Sequence, residues 1–181
     1  MDNTFESQLK ELQQKVGKLE AGTQDQISMV IFSGDMDKIL AAMIIALGAA
    51  AYDMKVKLFF TFWAISALRD PNKGVKGKTF MEKMFGIMLP KGSKKVKLSK
   101  MNMGGMGTAM MKGIMKKHKV ASLEEMIATA GEFDVEINIC EMSMDLMGFK
   151  KEEMIDYPHK NICGVATFLS DAQESKIQLF I

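Results

Sequence analysis

Ile27-Ser28-Met29-Val30-Ile31-Phe32, then Ser33-Gly34-Asp35, then Met36-Asp37-Lys38-Ile39-Leu40 and a further apolar stretch to Tyr52, is the segment whose reading decides the fold. The first run is short and apolar, suited to a strand buried on both faces, and the Ser-Gly-Asp break predicts a turn before a helix that ends near Tyr52. Val56 to Phe62 then supplies a second apolar strand. Strand, helix and strand at this spacing predict a right-handed crossover unit.

Further along the chain, Val135 to Ile139 and Ile177 to Ile181 predict two more strands. Ser122 and Glu125 form the signature of a capping box opening a helix that carries Met126 and Ile127, and another helix is expected from near Gly164 to Ala172. The alternation implies an α/β fold: a doubly wound, largely parallel sheet with helices on both faces. In such folds reactive groups gather outside the carboxyl ends of the strands. Ser33 and Cys140 both fall there.

Two regions stand apart from the alternation. Phe5, Leu9, Leu12, Val16 and Leu19 follow a four-three-four-three spacing, the seam of a short amphipathic or coiled-coil helix, with Gly22, Thr23 and Gln24 as a linker. Residues 1–24 therefore divide from a domain at 25–181, and the helix either folds back or mediates oligomerisation. Residues 69–119 form a basic, Met-rich helical insertion. Between Arg69 and Lys100 ten Lys or Arg oppose only Asp70 and Glu82, a local charge of +8.

At 181 residues the chain can bury one ordinary core, and a formal charge of +2 gives no argument for nucleic acid. Aromatic residues are not interleaved with the lysines as a stacking platform requires. The lysines are either a solvated face, a device for steering an acidic protein partner, or a contact for a membrane surface. Asp53, Lys55 and Lys57 interrupt the apolar stretches before the ~20 residues of a membrane span. Two cysteines without a secretory leader imply a reducing cytoplasm.

Cys140 leads Cys140-Glu141-Met142-Ser143-Met144-Asp145-Leu146-Met147-Gly148, at the carboxyl end of a predicted strand where a turn or helix begins. Unsatisfied backbone N–H groups at a helix start favour a thiolate, whereas the Glu141 carboxylate opposes it. A buried cysteine acting as a small apolar residue is the alternative. Asn138 and Ser143 are candidates to hydrogen-bond the sulfur, and Ser33 and Asp35 to face the same cleft, although Asp35 also suits a helix cap. Cys163 either resolves an oxidised Cys140 or is incidental. His118 and His159 lack companions at metal-ligand spacing, and no metal or cofactor is expected. Met101, Met103 and Met106 could select Cu(I), but flexible methionines filling a core or lining a partner surface account for them better. Ser33-Gly34-Asp35 lacks the further glycines of a dinucleotide loop.

The stretches Ile31 to Lys38, Phe59-Phe60-Thr61-Phe62-Trp63, Lys83 to Pro90, Met101 to Gly107 and Cys140 to Gly148, in that order, resemble the DsrE/DsrF/DsrH-like proteins, specifically the branch often labelled "peroxiredoxin family". The likeness spans Ile27 to Ile181. It implies a doubly wound, oligomeric α/β domain in which a cysteine accepts sulfane sulfur as a persulfide and passes it on, with TusA-like and rhodanese-like carriers as partners. Only Cys140 falls on the family's cysteine motif. No Thr-x-x-Cys environment for peroxide reduction occurs. The expected role is thus a sulfur-relay protein, a sulfurtransferase or persulfide carrier, with a non-catalytic scaffold docking through the insertion as the alternative.

Overall fold

The computed structural model describes residues 8–17 and 24–181. Residues 8–17 form a helix, α1, on which Leu9, Leu12 and Val16 are about half exposed. Phe5, Leu19, Gly22 and Thr23 lie outside the described residues.

Among the described residues, five strands make one all-parallel sheet: β1 (Gln24–Ile31), β2 (Lys55–Phe60), β3 (Glu136–Cys140), β4 (Lys160–Cys163) and β5 (Ser175–Phe180), in the order β4-β3-β2-β1-β5. The chain steps outward from β1 through β4, then crosses back to set β5 on the other side of β1. That is the doubly wound α/β arrangement. Gln24, read from sequence as linker, already belongs to β1. β2 ends two residues earlier than its apolar run, because Phe62 has φ of +45° and starts a 3-10 turn through Leu68. β4 was not expected at all.

The helices are α2 (Met36–Ala51), α3 (Phe80–Met88), α4 (Met106–Lys117), α5 (Leu123–Glu132), α6 (Glu141–Met147) and α7 (Val165–Glu174). α2 buries Met36, Ile39, Ala42, Met43, Ala46 and Ala49, one stripe at helical spacing whose alanines allow close approach to the sheet. α5 packs beside it and buries Leu123, Met126, Ile127 and Ala130. Its capping box forms as expected: the Ser122 hydroxyl accepts from the Glu125 amide at 3.2 Å, and the Glu125 carboxylate accepts from the Ser122 amide at 2.7 Å.

Side chains alternate along each strand. Ile27, Met29, Ile31, Leu58, Phe60, Ile137 and Ile139, each at most 2% exposed, form the core under α2 and α5. Burying such a side chain contributes roughly 1.5–3 kcal/mol. The opposite face is covered by α7, whose Asp171 and Phe168 meet Lys57 and Phe59 of β2. Cys140 and Cys163 belong to that second face.

Within 69–119, α3 and α4 are joined by loops anchored to the sheet domain. The Met36 amide donates to the Lys97 carbonyl at 2.8 Å, so the start of α2 is closed by the insertion. Asp37 accepts from both the amide and the hydroxyl of Ser99, at 2.8 and 2.6 Å. Burial pushes the Asp37 carboxyl up, but these two bonds outweigh it and hold it below its usual value.

Candidate functional site

Cys140 closes β3 and is the N-cap residue of α6, with 3% of its surface exposed. No side chain caps α6. At its far end Gly148 turns the chain at φ of +65°, and a Cβ there would come within 2.8 Å of the Glu82 backbone, so only glycine fits between α6 and α3. The Thr61 and Ser143 hydroxyls, 2.9 Å apart and both buried, tie the end of β2 to the first turn of α6.

Phe62 stands next to that tie in left-handed backbone, a conformation that costs a β- or γ-bulky residue about 1–3 kcal/mol. Its ring meets Phe32 at 5.2 Å, and Phe32 in turn stacks on Phe180 at 6.0 Å. An aromatic row thus lines the carboxyl ends of β2, β1 and β5. Gly34 lets the turn after β1 lie against the Trp63 carbonyl, which a Cβ would meet at 2.7 Å.

The second cysteine is Cys140's neighbour. β3 and β4 pair Asn138 with Asn161, Ile139 with Ile162, and Cys140 with Cys163. Adjacent strands are roughly 4.8 Å apart, and in-register residues point to the same face, so the two thiols stand side by side. Both are free. Cys163 is partly exposed and contacts the Thr167 hydroxyl in the first turn of α7. Burial pushes its thiol up; Thr167 opposes this, while the nearby Asp171, Cys140 and Glu141 charges add to it.

Beneath the thiols the sheet face is polar. Asn138 donates to Asp171 at 3.4 Å and accepts from Asn161 at 3.3 Å. Lys57 donates to the other Asp171 oxygen at 2.7 Å, with Glu136 at 3.7 Å. Burial pulls the Lys57 ammonium down, but the Asp171 bond and the neighbouring carboxylates raise it above its usual value. On β1, Gln26 donates to the Asp171 carbonyl and to Ser175, whose hydroxyl also meets Ser28 at 2.7 Å. These bonds fix α7, and with it Thr167, against the strands that carry the cysteines.

Asn138 therefore lies on the cysteine face, but its recorded hydrogen bonds brace the strands below the sulfur. Ser143 spends its hydroxyl on Thr61. Ser33 and Asp35 hydrogen-bond each other at 2.9 Å after β1, two strand spacings, about 10 Å, from β3. Asp35 is the N-cap residue of α2, yet its carboxylate faces Ser33 and Lys38 instead of the helix amides. His159 pairs with Asp134 at 3.0 Å.

The basic insertion is partly spent on itself. Arg69 and Lys78 both meet the buried Glu153, Arg69 at 3.9 Å, and the Arg69 guanidinium lies 4.5 Å from the Phe149 ring centre. Burial pushes the Glu153 carboxyl up, but Lys78, the Lys150 amide and Arg69 bring it below its usual value. Lys73 pairs with Asp156 at 2.7 Å. These cations staple 69–78 to the segment after α6. Lys76, Lys83, Lys94, Lys95, Lys97 and Lys100 remain exposed, as do Phe80, Ile87, Met88, Met101 and Met106.

Sequence reasoning left the distance between Cys140 and Cys163 open, although a signal was present. The tripeptide Asn-Ile-Cys occurs twice, at 138–140 and 161–163. The structure lays one copy beside the other.

Residues 23–180 match the DsrE/DsrF/DrsH-like family. The uncharacterized protein YrkE of Bacillus subtilis (strain 168) is 49% identical over 154 residues, 85% of this chain and 95% of that protein. The sulfur carrier protein DsrE2 of Allochromatium vinosum is 33% identical over 170 residues, 87% of this chain and 99% of its own. Among solved structures, the ychN protein of E. coli aligns over 86% of this chain and 99% of its own at 11% identity, with a TM-score of 0.49.

Proposed function

From the premise that this chain belongs to the DsrE/DsrF/DrsH-like family, we propose that it is a sulfur-relay protein in which Cys140 accepts sulfane sulfur as a persulfide and yields it to a partner thiol. The observation that carries this reading is the position of Cys140, at the carboxyl end of a parallel strand and the start of a helix. Such a position is where doubly wound sheets gather their reactive groups. The sulfur-carrier relative supports the general role.

The chemistry is thiol exchange. Cys140 thiolate attacks the outer sulfur of a donor persulfide, the donor thiolate leaves, and the sulfur later passes to an acceptor thiolate by the same step in reverse. No electrons are gained or lost overall, so the exchange requires no cofactor. The family suggests small carriers of TusA type and rhodanese-like proteins as partners, and a homo-oligomer as the working form. Asn138 supports the strand that carries the thiol, and the Thr61–Ser143 bond fixes the helix start beside it.

The test is mass spectrometry of protein incubated with inorganic polysulfide, with the added sulfur mapped to peptides. The expected result is one extra sulfur atom on the Cys140 peptide of the wild type. A wild type that gains nothing, or whose Cys140 peptide stays unlabelled while sulfur settles elsewhere, overturns the reading. A second reading, docking of a protein or membrane surface through the insertion, is favoured by Phe80 and Ile87, exposed at 80% and 85%. It becomes the leading one in that event.

A further inference from the structure

Cys140 is 3% exposed, too enclosed for a bulky donor to align three sulfurs at it directly. Cys163, its register partner on β4, is partly exposed, with the exposed Gly164, Val165, Ala166 and Thr167 following it. A Cβ at Gly164 would meet nothing within 4 Å, so the space beside Cys163 is open. The repeated Asn-Ile-Cys strands hold both thiols on one sheet face, and the Asn138–Asn161 bond at 3.3 Å locks that register two residues below them. Both thiols thus share one face, Cys140 enclosed and its neighbour Cys163 partly exposed.

We propose that Cys163 is a second sulfur-bearing residue, the port through which sulfane sulfur from a low-molecular-weight or protein persulfide reaches the enclosed Cys140. The proposal rests on Cys140 being the acceptor. In the first step Cys163 thiolate attacks the outer sulfur of the donor persulfide, a Cys163 Sγ–S bond forms, and the donor leaves as its thiolate. In the second, Cys140 thiolate attacks that outer sulfur. The bond at Cys163 breaks, a bond at Cys140 forms, and Cys163 leaves as thiolate to be reprotonated by the proton Cys140 gave up. Each exchange makes one S–S bond and breaks one, with no oxidant or reductant consumed. Thr167 stands where its hydroxyl can donate to the departing Cys163 thiolate.

The experiment is timed loading with glutathione persulfide, quenched by alkylation and mapped by peptide mass spectrometry, on wild type, Cys140→Ser, Cys163→Ser and Cys163→Ala. In wild type the extra sulfur is expected on Cys163 first and on Cys140 afterwards; in Cys140→Ser it stays on Cys163. Both Cys163 variants should load Cys140 about tenfold more slowly or worse from glutathione persulfide, while the smaller inorganic hydrodisulfide still loads it. An unlabelled Cys163 in Cys140→Ser, together with wild-type loading of Cys140 in the Cys163 variants, overturns the port while leaving Cys140 as acceptor. Sulfur on neither cysteine of the wild type from either donor overturns the acceptor reading as well.

Discussion

On the side of the sheet covered by α2 and α5, Ile27, Met29, Ile31, Leu58, Phe60, Ile137 and Ile139 present hydrocarbon and thioether alone. On the side covered by α7 the same strands present Gln26, Ser28, Lys57 and Asn138 beside Val30 and Phe59, with Asn161 on β4. The first face needs no directional bonds, and dense packing supplies its energy. The second holds its covering helix through hydrogen bonds that converge on Asp171 and Ser175. A hydrogen bond nets only about 1 kcal/mol, but it fixes a position. The apolar face therefore carries the larger share of the stability, and the mixed face carries the placement of the two thiols.

The largest effect should come from the apolar face. Phe60→Ala removes a fully buried ring and should cost about 3–5 kcal/mol in urea unfolding. Asp171→Ala should cost less, about 1–3 kcal/mol, because Lys57 and Asn138 lose a partner while Val30 and Phe59 keep their packing on that face. A simultaneous Lys57→Met and Asp171→Leu exchange should recover much of that stability, yet slow sulfur loading, since α7 loses its directional anchor. If Asp171→Ala unfolds the protein as severely as Phe60→Ala, the division of labour between the faces is wrong.

Smaller effects separate the helices themselves. Ser122→Ala, which uncaps α5, should cost about 1 kcal/mol in urea unfolding. Glu125 in the same box is held below its ordinary value of 4.5, first by the Ser122 amide and then by the Ser122 hydroxyl. A depressed carboxyl contributes stability that is complete above its unfolded value and is lost as the pH falls below it. Glu125→Gln should therefore flatten the acid limb of a stability–pH curve below about pH 4.5. α7 begins at Gly164 with no side-chain cap, at φ of −87° and with open space around it. Gly164→Ser should raise the unfolding free energy by roughly 0.3 kcal/mol, the smallest change of the set. A loss instead would mean that α7 needs the freedom that Gly164 gives it beside Cys163.

Four of the five strands were legible because Ile27–Phe32, Val56–Phe62, Val135–Ile139 and Ile177–Ile181 are segments of strand length rich in aliphatic and aromatic residues. β4 was not, because Lys160-Asn161-Ile162-Cys163 is short, sits at a sheet edge and carries one aliphatic side chain. The end of β2 was misjudged for a different reason. Its apolar run continues through a 3-10 turn whose Ala64, Ile65, Ala67 and Leu68 are as buried as any strand residue. Burial alone does not distinguish the two conformations. The position of Cys140 at a strand end followed from the pattern, whereas the neighbourhood of Cys163 required the sheet order. Arg69 and Lys78 were counted with a basic face because a residue count cannot see Glu153, which arrives from 75 residues further on to meet Lys78.

β1 lies inside the sheet between a neighbour that follows it closely and one that is distant in the chain. β2 begins soon after α2, but the β5 side is reached only through bonds such as Gln26 to Ser175, 149 residues apart. Closing so long a loop carries an entropy cost before any contact repays it, and non-local pairing of this kind slows folding. During synthesis and refolding, one edge of β1 therefore waits, unpaired, while the rest of the sheet assembles. Docking of β5 is therefore expected to close last, and an intermediate stalled before it would expose a parallel edge able to recruit the corresponding strand of another copy.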